Sequence, residues 1–332
     1  MTLVEFWFML IAVVWTGFFV LEGFDFGVGM LHGLIGAGEA GRRTVINTIG
    51  PLWDGNEVWL IVAGAAMFAA FPGWYATMFS GFYLALVLLL AALMARGISF
   101  EYRGKSPSPR WRGTFSAMMA GGSLVAPLLI GVALGDLLNG LPVNASQEFT
   151  GSFWTLLQPY GLYTGVTLVA ICALHGATFA ALKTTGDISD RAARAAVATA
   201  PVTALVVLGF AIWTHVIAGK GFFLNPVEIS AVLAAAAAAW LVHDRREGWA
   251  FTATTIAMAL TVLSIFTELY PHVMISSTSP AFSLTIHNTA SGSYSLTVMS
   301  VVVAIFLPVV LVYTGWTYYV FRRRLSAHDF QA

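Results

Sequence analysis

The sequence has few charged residues for its length. Asp, Glu, Lys and Arg make up 10% of the 332 residues, whereas 58% are apolar and the mean hydropathy is +0.80. Soluble domains use a much larger charged share. The net charge is zero and no dense basic patch occurs, which excludes nucleic acid as a partner. The composition therefore predicts a polytopic membrane protein.

Cysteine is almost absent. Cys172 is the single cysteine and it lies in an apolar run. One cysteine excludes an internal disulfide, a Cys-x-x-Cys-His haem attachment and a thiolate-bound iron–sulfur cluster. Any haem in this protein would have to be held without covalent attachment.

Long apolar runs dominate the rest of the chain. A span of about 30 Å of hydrocarbon needs about 20 apolar residues. Nine runs approach or exceed this length: 4–31, 54–71, 76–98, 114–138, 160–183, 198–218, 227–243, 250–267 and 294–321. The first is much longer than the apolar core of a signal peptide, so we expect it to be kept as a membrane helix. The sequence predicts an all-α protein with nine transmembrane helices.

Basic residues fall on alternate connections between these runs. They lie at or after the ends of predicted helices one, three, five, seven and nine, whereas the opposite connections contain only Lys220: Arg42, Arg43, Arg96, Arg103, Lys105, Arg110, Arg112, Lys183, Arg191, Arg194, Arg245, Arg246, Arg322, Arg323 and Arg324. Under the positive-inside rule the N-terminus lies outside and the C-terminus lies in the cytoplasm.

Two outer connections are long, without Lys or Arg, and rich in Ser, Asn and Pro. They follow predicted helices four and eight. Their separation suggests two four-helix bundles and one additional helix. The corresponding division is 1–138 for the first bundle, 139–267 for the second bundle with its outer loop, and 268–332 for the second outer loop, the ninth helix and the cytoplasmic tail.

Four acidic residues lie inside or at the start of apolar segments. Glu22 and Asp25 stand one turn apart on one face of the first helix, and Asp54 and Glu57 lie at the start of the second. A carboxylate at membrane depth costs about 2.5 kcal/mol or more, so it marks a candidate functional site. The alternating topology predicts that all four lie near the cytoplasmic face.

The end of the third predicted helix brings two further charged residues, one basic and one acidic, to the level of these four acids. Arg96 would face the four acids as their counter-charge, and Glu101 follows just beyond it. Carboxylates that open on the cytoplasm are typical of a proton relay. The six residues of the predicted relay are Glu22, Asp25, Asp54, Glu57, Arg96 and Glu101.

Local structural roles compete with this interpretation. Asp54 and Glu57 have the spacing of a capping box, so both could simply start the second helix. Arg96, taken alone, could extend its side chain toward the membrane surface. Glu22 and Asp25 have no such local role, because they lie within a helix between apolar residues and glycines.

Histidine could indicate haem ligation, but sequence cannot identify facing pairs. Six lie within or near the predicted helices: His32, His175, His243, His215, His272 and His287. A hydrogen-bonded interior or interfacial role is more frequent for each than ligation. We therefore predict no metal ligand in this chain.

Several motifs resemble those of subunit II of the cytochrome bd-type quinol oxidases. They occur in the family's order from the first helix to the ninth: Gly-Phe-Asp-Phe-Gly-Val-Gly at 23–29, Pro-Leu-Trp-Asp-Gly-Asn-Glu-Val-Trp-Leu at 51–60, Phe-Ser-Gly-Phe-Tyr at 79–83, Arg96 with Phe-Glu-Tyr-Arg at 100–103, Trp111-Arg112, Ser-Ser-Thr at 276–278, Ser-Leu-Thr at 283–285, Asn-Thr-Ala-Ser at 288–291, Leu307-Pro308 and Tyr313-Thr314.

The resemblance implies a subunit of a bacterial cytoplasmic-membrane oxidase that oxidises quinol and reduces dioxygen to water. Its expected partner is a homologous subunit I that carries two haems b and one haem d. It further implies membrane lipids, quinone and small single-helix accessory subunits as partners, and a structural quinone in some relatives.

The resemblance also gives roles to individual positions. Asp54, Arg96 and Glu101 match family positions associated with a proton route to the haems, and Glu22 and Asp25 match acidic positions. Relatives can carry Asp where this chain has Glu22 and Glu101, so the charge is the same but the side chain is longer.

Two other functions compete with this one. A proton-coupled secondary transporter also uses buried acids and glycine-rich helices, although the acids here lie near one face and no matching pair of helix breaks is evident. In a pure scaffold, the acids would only cap helices and pair with Arg96.

Overall fold

The computed structural model describes residues 1–219 and 224–330, so Lys220 lies outside the described residues. Within these residues the chain forms eleven α-helices: α1 (Leu3–Ile35), α2 (Gly38–Asn47), α3 (Trp53–Ala70), α4 (Pro72–Gly81), α5 (Tyr83–Tyr102), α6 (Pro109–Asn139), α7 (Pro159–Lys183), α8 (Asp187–Ala218), α9 (Pro226–His243), α10 (Glu247–Leu269) and α11 (Ser293–Val320).

Two short β-strands lie in one of the connections between helices. An antiparallel pair of strands, β1 (His272–Met274) and β2 (Leu284–Thr285), lies in the connection between α10 and α11. Four 3₁₀ turns complete the described structure, at Arg103–Lys105, Phe153–Leu156, Pro280–Phe282 and Ala327–Phe330.

Eight helices of the described residues are long and apolar enough to cross a membrane: α1, α5, α6, α7, α8, α9, α10 and α11. The all-α, polytopic membrane class is thereby confirmed. The helix α3 falls outside this set, and its first turns contain Asp54, Asn56 and Glu57. The predicted count of nine depends on this helix.

The predicted third helix, 76–98, is divided in the structure. The helix α4 ends at Gly81 and α5 begins at Tyr83, with Phe82 between them. A Cβ atom on Gly81 would lie 2.8 Å from the Phe149 side chain, so the helix breaks where the loop after α6 packs closely against it. The sequence gives no signal for this break, because the apolar run is continuous.

Arg residues lie at one end of the helix bundle, which we call the basic end. Arg191 donates to the backbone carbonyl oxygens of Leu34 and Ile35 at the end of α1, with N···O distances of 2.9 Å. Arg324, after α11, pairs with Glu247 at the start of α10 at 3.0 Å. The ends of helices that are far apart in sequence therefore meet here.

The opposite end is joined through its loops. The Ser291 amide donates to the Ala70 carbonyl oxygen at 2.8 Å, which fixes the end of α3 beside the start of α11. Leu141, after α6, forms a parallel bridge with Ser276 in the long connection after α10. These contacts place the end of α3 at the end of the bundle away from the Arg residues.

Two glycines of the 23–29 motif allow α1 to approach its neighbours. A Cβ atom on Gly27 would lie 1.9 Å from the Cys172 carbonyl oxygen and 2.7 Å from Gly176, so α1 and α7 cross with backbone in contact. A Cβ atom on Gly29 would lie 2.1 Å from Ser123 Oγ on α6. Small residues at such crossings are typical of membrane helix packing. The acids Glu22 and Asp25 are thereby buried at the centre of the bundle.

The largest apolar core cluster includes residues of both predicted four-helix bundles. It contains Phe18 of α1, Ile130 of α6, Ile171 of α7 and Val262 of α10. The helix α1 packs against α6, α7 and α10. The division at residue 138 stays a prediction. The helices on its two sides share one continuous apolar core.

Candidate functional site

Arg96 is fully buried in the helix bundle. It lies on α5, one and a half turns before the helix ends at Tyr102, and it faces α6 at Gly122. A Cβ atom on Gly122 would lie 3.0 Å from Arg96 Cβ and 2.4 Å from the Ala92 carbonyl oxygen. The missing side chain at position 122 therefore lets α5 and α6 meet and lets Arg96 point inward.

The Arg96 guanidinium bridges two carboxyl groups from different helices. Its Nη1 atom lies 2.5 Å from Glu22 Oε1 on α1 and 2.8 Å from Glu57 Oε2 on α3. The Glu22 and Arg96 side chains have no exposed surface, whereas 23% of the Glu57 side chain is exposed. Such a buried charge is tolerable only when it is paired, since an isolated ion loses its hydration. Glu57 connects this buried pair to the surface of the chain.

Aromatic rings surround the guanidinium. Arg96 Cζ lies 4.9 Å from the ring centroid of Phe26, 5.3 Å from Phe100 and 5.8 Å from Trp53. Trp53 and Phe100 are stacked on each other with their centroids 4.7 Å apart. These cation–π contacts stabilise the positive charge where water is excluded. The site therefore holds a permanent cation in an apolar shell.

Asp25 is held by a different partner. Asn56 Nδ2, one turn into α3, donates to Asp25 Oδ2 at 2.6 Å, and the Tyr318 hydroxyl on α11 donates to Asn56 Oδ1 at 3.0 Å. Asp25 and Asn56 are both buried. Three helices thus contribute to the surroundings of one carboxyl group.

Several polar atoms of this cluster have no hydrogen-bond partner among the described residues. They are Arg96 Nε, Arg96 Nη2, Glu22 Oε2 and Asp25 Oδ1. Buried polar groups in proteins are nearly always satisfied, by protein atoms or by ordered water. The cluster therefore has the capacity to bind water molecules or additional protons.

The capping interpretation of Asp54 and Glu57 is wrong. The helix α3 starts at Trp53 with Leu52 as its N-cap residue, and no side chain accepts a hydrogen bond at this N-terminus. Leu52 has no side-chain acceptor, and Glu57 points instead to Arg96. The acid at position 57 is therefore used for an interhelical ion pair.

The structure does not bring all six predicted residues together. Glu22, Asp25, Glu57 and Arg96 form the buried cluster, which we call the acid–arginine cluster. Asp54 is exposed one turn before Glu57. Glu101 is exposed at the basic end, where it lines an open cleft of about 440 Å³ together with Trp53 and Phe100. Asp54 and Glu101 thus lie at the surface, outside the acid–arginine cluster.

The acid–arginine cluster lies farther from the end of α1 than the sequence predicts. The expected end of the first helix is residue 31, which would put Asp25 about 9 Å from that end. The structure continues α1 to Ile35, so ten residues, or about 15 Å of helix, follow Asp25. Glycine-rich sequence after residue 31 did not end the helix, because α1 remains packed there by Arg191.

A second charged contact at the basic end was not predicted. Glu39 on α2 receives two hydrogen bonds from Arg103, at 2.9 and 3.0 Å, and lies 3.3 Å from Arg43. Burial raises the pKa of Glu39, but the hydrogen bonds and charge of Arg103 and the charges of Arg112 and Arg43 outweigh burial and hold the pKa below its ordinary value of 4.5. This contact ties α2 to the segment between α5 and α6.

Further buried acids lie away from this site. Glu228 and Asn225 form a capping box that starts α9, and His215 Nδ1 lies 3.5 Å from Glu228 Oε2. This geometry indicates a helix-starting role for Glu228. Asp136 on α6 is also buried, against Gly161 of α7.

Two buried histidines have local hydrogen-bond partners. His175 has Nδ1 at 2.7 Å from Thr254 Oγ1 and Nε2 at 3.3 Å from the Val20 carbonyl oxygen, and it stacks on Phe251. His32 Nδ1 lies 2.7 Å from the Gly29 carbonyl oxygen. No group of three or more His, Cys, Asp or Glu suited to a metal ion occurs in the described part of the chain.

Comparison with known proteins agrees over nearly the whole chain. The family model for cytochrome bd terminal oxidase subunit II matches residues 3–321. Cytochrome bd ubiquinol oxidase subunit 2 of Bacillus subtilis (strain 168) is 42% identical over 326 residues, which cover 97% of this chain and 96% of the relative. Cytochrome bd-I ubiquinol oxidase subunit 2 of Escherichia coli (strain K12) is 36% identical over 366 residues, covering 98% and 96%.

A solved structure has the same fold. A chain of the bd oxidase from Geobacillus thermodenitrificans superposes with a TM-score of 0.74 at 16% identity, over 97% of this chain and 98% of that chain. At this identity the likeness concerns the fold alone. The family match and the two relatives carry the assignment, and the chain belongs to the cytochrome bd terminal oxidase subunit II family, within a respiratory oxidoreductase complex.

Proposed function

We propose that this chain is the non-haem subunit of its oxidase and that the acid–arginine cluster carries protons for the reduction of dioxygen. The single observation behind this proposal is the buried Arg96 between Glu22 and Glu57, of which only Glu57 reaches the surface. A scaffold could pack the same helices with apolar residues at lower cost. Charge held at this depth is better explained by transport of protons.

The charges of the cluster favour proton binding. Glu22, Asp25 and Glu57 supply three carboxyl groups, and Arg96 supplies one positive charge that it does not give up. If all three acids were ionised, two negative charges would be uncompensated in an apolar interior. Binding one proton halves this excess and binding two removes it, so the cluster can take up and release protons with little movement. Arg96 holds the charge balance and the carboxyl groups exchange the protons.

The proposed path begins at the exposed acids. Asp54 lies one turn from Glu57 on α3, and Glu101 lines the cleft beside Trp53 and Phe100. A proton collected there would pass to Glu57, then to Glu22 and Asp25. The full path therefore uses all six residues predicted from the sequence, two at the surface and four in the interior or at its edge.

We propose the cytoplasm as the source of these protons. The basic end carries the Arg residues of alternate connections, and the positive-inside rule puts this end in the cytoplasm, with the N-terminus outside. A ninth span, α3, is required by this topology. Its 18 residues reach about 27 Å, and its end lies beside Ser291 at the opposite end of the bundle. The two four-helix bundles at 1–138 and 139–267 belong to the same proposal.

We propose that the haems reside in a homologous subunit I. Haem binds dioxygen and supplies electrons to it. Two haems b and one haem d in the partner would together supply this chemistry. Family resemblance supports this location, and so does the engagement of His175 and His32 in local contacts. Quinol is the proposed electron donor. Small single-helix subunits, lipids and a structural quinone complete the expected assembly in a bacterial cytoplasmic membrane.

The experiment is neutralisation of single acids in the assembled oxidase. Glu22→Gln and Asp25→Asn should leave the haem spectra intact and slow oxygen reduction at saturating quinol by at least about tenfold. Asp187→Asn, at an exposed acid of the basic end, is the matched control and should keep the wild-type rate. A pure scaffold predicts lost assembly or an unchanged rate for the two cluster variants.

A further inference from the structure

The side-chain amide of Asn56 uses all of its hydrogen-bonding groups. Its Nδ2 atom lies 3.1 Å from the Leu21 carbonyl oxygen and 2.6 Å from Asp25 Oδ2, and its Oδ1 atom accepts from the Tyr318 hydroxyl at 3.0 Å. An asparagine amide has two N–H donors and one carbonyl oxygen. Each of them has a partner here, and Asn56 is only 2% exposed.

The Leu21 carbonyl decides which way the amide points. A backbone carbonyl oxygen can only accept a hydrogen bond, so the NH₂ group of Asn56 must face α1. A flipped amide would put Oδ1 against two oxygen atoms, those of Leu21 and Asp25, and would lose both bonds. The orientation therefore follows from the partners and does not depend on how nitrogen and oxygen are distinguished.

This orientation constrains Asp25. Since Asn56 donates to Oδ2, that oxygen accepts a hydrogen bond and cannot carry a proton in the direction of Asn56. Asp25 Oδ1 has no hydrogen-bond partner among the described residues. We propose that Asn56 is a positioning residue that favours protonation of Asp25 at Oδ1, because a carbonyl oxygen accepts a hydrogen bond better than a hydroxyl oxygen does, and that Tyr318 closes the other face of the amide. The inference rests on the proposed function of the acid–arginine cluster.

The constraint gives the proton a direction. The charged and titratable groups that act on Asp25 are Glu22, Glu57, Arg96 and Tyr318, from α1, α3, α5 and α11. Asp25 Oδ2 accepts from the neutral amide of Asn56, whose other face is closed by Tyr318. Tyr318 donates to Asn56, so it does not pass its proton to Asp25. Transfer toward α11 is therefore closed, and Asp25 exchanges its proton through Oδ1.

Infrared difference spectroscopy of the wild-type oxidase tests the constraint directly. The carbonyl stretching band of protonated Asp25 is identified by its loss in Asp25→Asn. With the proton on Oδ1, the carbonyl oxygen is Oδ2, which accepts from Asn56, so the band should lie at the lower frequency of a hydrogen-bonded carboxyl. A band at the frequency of a carboxyl whose carbonyl accepts no bond would overturn the inference.

Two variants separate positioning from a merely structural role. Asn56→Leu removes the donor at similar volume and should move the Asp25 band to higher frequency, shift the pH profile of oxygen reduction and lower the rate by roughly tenfold. Tyr318→Phe leaves both Asn56 N–H bonds, so the band should stay in place and the rate should fall by no more than about threefold. Tyr163→Phe, which removes a hydroxyl bonded to the Val206 carbonyl oxygen at 3.2 Å, is the matched control.

The outcomes distinguish this inference from the proposed function. If Asp25→Asn slows oxygen reduction but Asn56→Leu changes neither the band nor the pH profile, only the role of Asn56 is refuted. If Asp25→Asn leaves the rate unchanged, or no Asp25 band occurs in any redox state, both the proton path through Asp25 and this inference fail. Should Asn56→Leu not assemble, the wild-type band still decides.

Discussion

Arg96 shares one positive charge among three carboxyl groups, and this imbalance is the basis of its proposed role. Its Nη1 atom contacts Glu22 and Glu57 directly, and aromatic rings surround the rest of the guanidinium. Removal of one partner from a buried ion pair commonly costs about 3–5 kcal/mol, since the other charge is left without compensation. Arg96 is therefore important for stability as well as for proton transfer.

We expect Arg96→Met to lower the thermal stability of the oxidase strongly and to reduce the yield of haem-containing complex. The physical reason is the uncompensated charge of Glu22, which has no exposed surface. Thermal unfolding of the purified complex measures the effect. Arg110→Met, at an exposed position of the basic end, should change the unfolding temperature little. Equal stability of Arg96→Met and wild type would contradict the ion-pair geometry.

Glu39 provides a pH-dependent contribution outside the membrane. Burial raises the folded-state pKa of Glu39, but Arg103, Arg112 and Arg43 outweigh burial and hold this pKa below 4.5. A depressed pKa stabilises the folded state above the unfolded-state pKa, and this stabilisation disappears as the pH falls through the folded-state value. We expect Glu39→Gln to cost about 1 kcal/mol at pH 7. In unfolding scans the difference from wild type should shrink below pH 4.5, and a difference that stays constant with pH would contradict this.

Charged residues within apolar runs were sufficient to identify the members of the acid–arginine cluster, Glu22, Asp25, Glu57 and Arg96. Each is costly in a membrane, so each is conspicuous in the sequence. Asn56 and Tyr318 were missed as site residues because a neutral polar side chain costs less and gives no comparable signal. The only available indication was that Asn56 falls within the Trp-Asp-Gly-Asn motif. The sequence also could not show which of Asp54 and Glu57 points into the bundle, because the useful direction around a helix depends on the neighbouring helices that it meets.

At the scale of helices, glycine sets the distance at which α1 meets α7. Gly27 and Gly176 are in backbone contact at the crossing, only two residues from Asp25. Close approach of this kind gives dispersion contacts that larger residues would prevent. The position of the acid–arginine cluster therefore depends on glycines that take no part in its chemistry.

We expect Gly27→Ala to separate α1 from α7 and to reduce assembly. The new Cβ atom would lie 1.9 Å from the Cys172 carbonyl oxygen, a backbone atom that cannot move alone. Overpacking of this kind typically costs about 1–3 kcal/mol or more. Gly33→Ala, on the same helix with no atom within 4 Å of the added carbon, is the control. The yields of assembled complex should differ, and equal yields would contradict the crossing geometry.

Helix existence was predicted better than helix boundaries. Apolar length identified the spanning runs, but it could not reveal the break at Phe82 or the extension of α1 to Ile35. Both depend on tertiary neighbours, Phe149 in the first case and Arg191 in the second. The extension matters for function, since it increases the helix length between Asp25 and the basic end.

At the scale of the whole molecule, the alternation of basic residues predicts the orientation. Ser146→Cys, in the loop after α6, should react with a membrane-impermeant thiol reagent applied to intact cells. Ser108→Cys, before α6 at the basic end, should react only after the membrane is opened. Cys172 is fully buried and should stay unlabelled in both. The reverse labelling pattern would contradict both the orientation and a cytoplasmic proton source.

The family and the helical membrane class could be predicted from sequence, because they depend on ordered motifs and on apolar length. Both were confirmed, by the family match to residues 3–321 and by eight long apolar helices in the described residues. The ninth span was harder, since α3 carries Asp54, Asn56 and Glu57 in its first turns and is not among the eight helices long and apolar enough to cross a membrane. Residues that serve the proposed site thus weaken the signal of the helix that carries them.

The most direct test of the central claim is proton uptake during a single turnover. Oxidase in proteoliposomes would be fully reduced and exposed to oxygen, and the electrogenic phase of proton uptake would be followed beside the haem spectra. We predict that Glu22→Gln leaves the haem spectra of the reduced oxidase unchanged and slows the electrogenic phase by about tenfold or more. An electrogenic phase that matches wild type in rate and amplitude, in a fully assembled Glu22→Gln oxidase, would contradict the account.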